Sequence, residues 1–270
     1  MTWIPAILSF GLIACGGGGG GGDDDDVPAD AAPSTTHTGF LFIQSFTAEQ
    51  PPGTIVRGGT ASAGFSAVAD ACAREVVGPC TISSCGAFAS FADAGTVTIT
   101  GGTQPVTLTP GSDHQYAPLT VQNTLFADGA ELSFAAAGGM VPAFDQSVTA
   151  PSRATITSPI EPPSQNPTLT IDRTQAFSIG WSGGGSGQVQ VSLFDGGFAK
   201  NVQCRFAASA GGGTISTEVL GKLGTGAGSF SMATIAESSV VAGDWGVFVQ
   251  AFVNAVWVDE SIVSGPLMLQ

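Results

Sequence analysis

Charge is scarce in this chain. Of 270 residues only 10% are charged, and 7 Lys and Arg stand against 21 Asp and Glu, a formal net charge of −14. So few bases form no patch that could neutralise phosphates, which excludes a nucleic-acid partner. No apolar run reaches the ~18 residues of a membrane-spanning helix, which excludes a polytopic helical membrane protein. There are two His and one Tyr, so histidine-based catalysis has few places to sit. The abundant residues exclude other classes. A hydrophobic content of 43% argues against disorder throughout. The 39 Gly follow no period of three, so the chain is not collagenous.

Trp3 to Ala14 form a short, largely apolar segment. It is too short to span a bilayer and suits the core of a signal peptide. It closes on Leu12-Ile13-Ala14-Cys15, a string that resembles the lipobox of bacterial lipoproteins. The resemblance implies a signal peptide over residues 1–14, cleavage after Ala14 and lipid on Cys15. Each buried CH₂ contributes roughly 0.8 kcal/mol, so several acyl chains together anchor firmly. Gly16 to Gly22 and Asp23 to Asp26 follow. Polyglycine has no side chains to pack, and adjacent aspartates repel and stay solvated. Residues 15–37 therefore read as a flexible tether between anchor and folded part. Gly16 directly after the cysteine is unlike an acidic inner-membrane retention signal, which favours the outer membrane, at its cell-surface or its periplasmic face.

From Gly39 onward, short runs rich in Val, Ile, Thr and Phe alternate with Gly, Pro, Asn and Asp clusters, the pattern of an all-β fold. Thr96 to Thr100 and Pro105 to Thr109 flank Gly101-Gly102 and read as a hairpin with Val97 and Ile99 on one face. Ala176 to Trp181 and Gln188 to Leu193 read as a second hairpin, its loop at Ser182 to Gly187. Val189, Val191 and Leu193 face the core there, and Gln188, Gln190 and Ser192 face water. Asn201 to Phe206 puts Cys204 on the buried face. Trp245 to Val258 is a long apolar stretch near the C-terminus. One short helix is expected over Thr217 to Leu223, with Ser216 as N-cap and Glu218 in the first turn. The stiff segment near Pro159 to Pro167 divides the chain. Two immunoglobulin-like antiparallel β-sandwich domains, 38–158 and 159–270, are expected, each near the ~100 residues of that architecture. A single larger sandwich is the alternative.

With Cys15 lipidated, Cys72, Cys80, Cys85 and Cys204 remain. An extracytoplasmic location permits disulfides. A tight turn at Val77-Gly78-Pro79-Cys80 would pair strand residues whose numbers sum to 157, which sets Cys72 opposite Cys85. Cys72–Cys85 is then the favoured bridge. Cys80 and Cys204 would bridge the two halves or stay as buried thiols, and Cys80–Cys85 is the rival pairing. Neither a C-x-x-C nor a neighbouring His accompanies the cluster, so no metal site is expected.

Gly180-Trp181-Ser182-Gly183-Gly184 fits the G-x-S-x-G pattern of serine hydrolases, whose serine needs a strand-to-helix turn. Another strand follows here, so a loop is the expected role. His37 falls in the tether, with nothing to orient it, and His114 in the turn-like Pro110 to Gln115. Asp145, Asp172, Asp195, Asp244 and Asp259-Glu260 have no pairing by spacing and read as turn residues. Trp181 and Trp245 alternate in phase with aliphatic residues and read as core; the alternative is a sugar-stacking platform of Trp181, Trp245 and Trp257 with Tyr116, with Trp257 the most exposed.

Asp93 to Gly102, Leu108 to Gly111, Val141 to Phe144, Trp181 to Gly184 and Val202 to Phe206 together resemble a group of uncharacterised secreted lipoproteins of the myxobacterial type. The likeness covers most of residues 60–250. It implies extracytoplasmic anchoring and a β-rich fold, and it implies no activity and no site residues. The expected protein is a lipid-anchored, non-catalytic structural or binding module of the cell envelope, without a cofactor. Its expected partners are the membrane, through Cys15, and a polysaccharide or an envelope protein. A carbohydrate-binding surface lipoprotein or adhesin is the alternative, with a secreted hydrolase behind it. Five of the 21 acids lie in residues 1–30, so residues 31–270 still carry 16 acids against all 7 bases. The folded part should repel anionic lipopolysaccharide.

Overall fold

Alternating apolar and polar residues become strands throughout, because a pleated strand sends successive side chains to opposite faces. The computed structural model describes residues 37–50, 54–67, 72–85, 90–159, 168–196, 200–258 and 263–270. The expected signal peptide, Cys15, the tether up to residue 36, the Pro-rich stretch 160–167 and the pair Asp259-Glu260 lie outside the described residues.

The first strands are β1 (His37–Gln50), β2 (Thr54–Ser66), β3 (Cys72–Val77), β4 (Cys80–Cys85), β5 (Val97–Thr100), β6 (Val106–Leu108), β7 (Leu119–Val121), β8 (Glu131–Ala136), β9 (Phe144–Thr149) and β10 (Ala154–Ser158). After them come β11 (Leu169–Ile171), β12 (Phe177–Gly183), β13 (Gln188–Asp195), β14 (Asn201–Ala207), β15 (Gly212–Ile215), β16 (Gly226–Ala242), β17 (Trp245–Asn254), β18 (Val256–Trp257) and β19 (Ser264–Leu269). The expected helix is present as α1 (Thr217–Leu220), with Glu218 in its first turn and the Ser216 side chain accepting from the Val219 N–H. It ends at Leu220 rather than at the expected Leu223, with Gly221 as its C-cap.

The fold is all-β, and the described residues build three sheets. The main sheet runs β3-β4-β14-β13-β16-β17-β1-β2-β7, with β19 and β11 continuing from β16. The others run β15-β12-β10-β18 and β6-β5-β8-β9. Most ladders are antiparallel, while β1 with β17, β10 with β18 and β11 with β19 are parallel. The long strand β16 is the spine of the main sheet. One of its edges pairs with β13, and the other takes β19 along Gly226 to Ser231 and then β17 along Ala233 to Ala242.

Each smaller sheet packs on one part of the main sheet and closes a core. Leu41, Phe65, Ile99, Phe134 and Val249 belong to the first core. Ile156, Trp181, Val191, Phe230 and Trp257 belong to the second. Full burial of such a side chain stabilises by roughly 1.5–3 kcal/mol. Strands from both sides of residue 158 build the main sheet. Cys80 and Ile82 enter the second core, and Trp245 to Val253 contribute alternate residues to the first. The apolar run that begins at Trp245 divides at Ala255, where the chain leaves the main sheet and β18 joins β10 in another.

The hairpin β5–β6 forms as the sequence predicts, with Val97 opposite Leu108 and Ile99 opposite Val106. The second expected hairpin does not form. β12 pairs with β10 and β15, whereas β13 pairs with β14 and β16 in the main sheet. The segment between them is an arch from one sheet to the other. Gly183, Gly184 and Gly185 all have positive φ, which turns the chain out of its first sheet. The wet face expected for β13 is also corrected: Gln190 and Ser192 are buried. Their polar groups are paired within the face: Gln190 donates to Ser192 Oγ while accepting from Arg205 Nε.

The turn at Gly78-Pro79 sets the register expected of it, with Cys72 opposite Cys85 and Val77 opposite Cys80. The side chains of Cys72 and Cys85 lie outside the described residues, so their bridge does too. Cys80 is disulfide-bonded to Cys204, its direct partner in the β4–β14 ladder, 124 residues away. That bond removes the rival pairing of Cys80 with Cys85 and fixes the β3–β4 hairpin to the C-terminal half. Lys222 Nζ, 2.7 Å from Glu75 Oε1, adds an exposed ion pair between the same parts.

Candidate functional site

The residues singled out for hydrolytic chemistry do not converge. Ser182 is exposed near the end of β12, and an arch follows it instead of a helix. His114 sits in a turn at φ 62°, and its backbone N–H donates to Gly111 O. The neighbouring Asp113 carboxylate accepts from the Gln115 backbone and side-chain amides. His37 is not in the tether but opens β1. Its Nε2 lies 3.3 Å from Asp244 Oδ2, and its ring rests on Trp245 with centroids 4.8 Å apart. The parallel β1–β17 register, which sets His37 beside Trp245, orients it. Among the described residues neither histidine is hydrogen-bonded to a serine.

Of the acids, Asp172 takes the turn role expected of it, while Asp145 and Asp195 lie at strand ends. Asp172 accepts from the Thr174 hydroxyl at 2.7 Å and its backbone N–H at 2.9 Å. These bonds hold its carboxyl below the ordinary value of 3.8. Asp145 is exposed on β9, and Asp195 accepts from the Lys200 N–H. Among the described residues no group of three His, Cys, Asp or Glu side chains could hold a metal ion.

The tryptophans take core positions, as the phase of Trp181 and Trp245 with aliphatic residues predicts, and they line no platform. Trp181, Trp245 and Trp257 are only 4%, 4% and 1% exposed. Each is in phase with inward-facing neighbours, and Trp181 donates its indole N–H to Ala208 O. Tyr116 is buried as well, its hydroxyl donating to Gly95 O at 2.7 Å and accepting from the Ala94 N–H at 3.0 Å.

A different aromatic row lies on the outer face of the main sheet. Leu41 and Ile43 of β1 point into the first core, so Phe40, Phe42, Gln44 and Phe46 point away from it. On β17, Val247, Val249 and Ala251 point inward, so Phe248, Gln250, Phe252 and Asn254 point outward. The parallel register sets Phe40 beside Phe248, Phe42 beside Gln250 and Gln44 beside Phe252. The Phe40 and Phe42 rings are nearly parallel, 15° apart with centroids at 6.4 Å, and Phe252 meets Phe42 edge-on at 6.0 Å. Phe40, Phe42, Phe46 and Phe248 are half-buried.

Glycines on β2 lay two of these rings down. A Cβ at Gly64 would lie 2.5 Å from the Phe40 ring, and one at Gly58 would lie 2.4 Å from that of Phe46. Each ring therefore covers the backbone of its cross-strand neighbour. Uncharged amides border the rings: Gln44 donates to Asn254 at 2.7 Å, and Gln250 donates to Glu237 at 2.9 Å. Glu237 also pairs with Arg205 at 2.7 Å, so its charge is neutralised. On β16, β17, β1 and β2, Glu237 is the charged side chain that the described residues place on this face.

The signal for this row lies in Gly39 to Phe46, where alternation alone assigns no face to water. That run is apolar in both phases, Leu41 and Ile43 in one and Phe40, Phe42 and Phe46 in the other. An apolar second phase is the pattern of a strand whose outer face is partly covered too, as Phe40, Phe42 and Phe46 are. No protein-family model matches the chain, and no curated protein is similar to it.

Proposed function

We propose that the protein is a lipid-anchored, extracytoplasmic module of the cell envelope that binds a ligand and performs no catalysis. The observation that carries the binding role is the outer face of the main sheet. Four half-buried phenylalanines, Phe40, Phe42, Phe46 and Phe248, lie beside the Gln44 and Asn254 amides on an uncharged part of that face, on a strongly acidic molecule. Monomeric proteins cover or break up apolar patches of this kind unless a ligand uses them.

The anchoring role is supported by Leu12-Ile13-Ala14-Cys15 and by the glycine and aspartate run that follows it. Among the described residues no helix is long and apolar enough to cross a membrane. The Cys80–Cys204 disulfide is compatible with an oxidising, extracytoplasmic compartment. The likeness to secreted lipoproteins of the myxobacterial type points to the same place.

Protease treatment of intact cells expressing the C-terminally tagged full chain, beside Cys15→Ala, tests this reading. Digestion from outside, lost or redistributed in the variant, places the module at the cell surface. Protection until the outer membrane is opened places it in the periplasm. A soluble cytoplasmic pool, equal in both chains, contradicts the proposal.

A further inference from the structure

We propose that the outer face of β2, β1 and β17 is a binding platform for a neutral polysaccharide. The inference rests on the binding-module reading above and names the ligand chemistry for it.

The rings come first. Gly64 and Gly58 leave the space beside the β2 backbone that the far ends of the Phe40 and Phe46 rings occupy, on the face of the sheet turned away from the first core. Phe42 stands between them and Phe248 beside them. Such an apolar strip suits the C–H faces of pyranose rings, which stack on aromatic side chains.

The polar border comes next. Gln44 and Asn254 offer amide groups beside the rings, and Ser62 lies opposite Phe42 on β2. Amides and hydroxyls both donate and accept, as sugar hydroxyls do.

Charge then selects among occupants. The charge of Glu237 is cancelled by Arg205, so the strip is neutral while the whole chain carries −14. An anionic polymer, an anionic lipid surface or a second copy of this chain would each meet the long-range repulsion of that charge. A neutral glycan meets none, and its binding should not depend on ionic strength.

The test is co-sedimentation of the purified full chain with cellulose and with chitin, at low and high salt, with alginate as the anionic comparator. Phe248→Ala and the double substitution Phe40→Ala with Phe248→Ala are measured beside it, each checked for native folding by near-UV circular dichroism. Phe248→Ala leaves the Phe40–Gly64 contact intact, so it reports on binding even where the double variant is destabilised. The expected result is salt-independent binding to a neutral glycan, weakened about tenfold or more by Phe248→Ala. Retention on neither neutral glycan, retention on alginate alone, or binding undiminished in folded Phe248→Ala would overturn the proposal. A chain that is displayed on cells yet gathers neither neutral glycan sinks this inference and leaves the anchoring intact. A chain that binds when purified but stays in the cytoplasm does the reverse.

Discussion

Tyr116 shows how a single side chain is set by contacts remote in sequence. Its phenol bridges Gly95 O and the Ala94 N–H within the first core. Burial pushes its ionisation above the ordinary value of 10.0; the Ala94 N–H opposes this and the charge of Asp93 adds to it. The folded state therefore holds the proton more tightly than the unfolded chain. The resulting stability is fully present below pH 10 and is lost as pH rises through the folded value. Because the chain has one Tyr, tyrosinate absorbance reads this group alone. The titration should be displaced upward in the native protein and return to the ordinary range in denaturant. Sequence could not assign this role, because the loop carrying Ala94 and Gly95 is brought to Tyr116 by tertiary packing. The cysteines divide in the same way. The Gly78-Pro79 turn made the Cys72–Cys85 register legible, because a tight turn fixes its own strands. The Cys80–Cys204 bond depends on a ladder between β4 and β14, 124 residues apart, and no local pattern reports it.

Strands were legible as elements, and their partners were not. Alternation reveals which face of β12 and β13 is apolar, and both form close to the expected residues. It does not reveal whether two successive strands share a sheet. The glycine run between them decides that here. Gly184 has φ 86°, and a Cβ there would lie 2.8 Å from the Ala208 Cβ. Gly129 has φ 75°, and a Cβ there would meet nothing within 4 Å. Gly184→Ala should cost about 1–3 kcal/mol of stability from backbone strain, with a steric penalty added, and should exceed the loss from Gly129→Ala. Denaturant midpoints of the two variants check the order. The aromatic strip obeys the same distinction. The phenylalanines of Phe40 to Phe46 were visible as an apolar second phase, but their neighbours Phe248 and Phe252 join them through a parallel pairing of β1 with β17. Such a pairing leaves no turn signal between its strands.

At the scale of the molecule, composition and alternation gave the all-β class, while the sheet order came from the structure. The main sheet takes β1 and β4 from one side of residue 158 and β17 and β14 from the other. The Cys80–Cys204 bond ties those sides together. The result is one broad surface, whose outer face carries the aromatic strip, on a molecule whose N-terminal string points to the membrane. The claim that joins these features is the lipid on Cys15. The direct measurement is mass spectrometry of the N-terminal peptide of the protein recovered from the detergent phase of a membrane extract. The expected peptide begins at Cys15 and carries the added mass of acyl chains. A chain recovered from the aqueous phase with Trp3 to Ala14 still attached and Cys15 unmodified would contradict it.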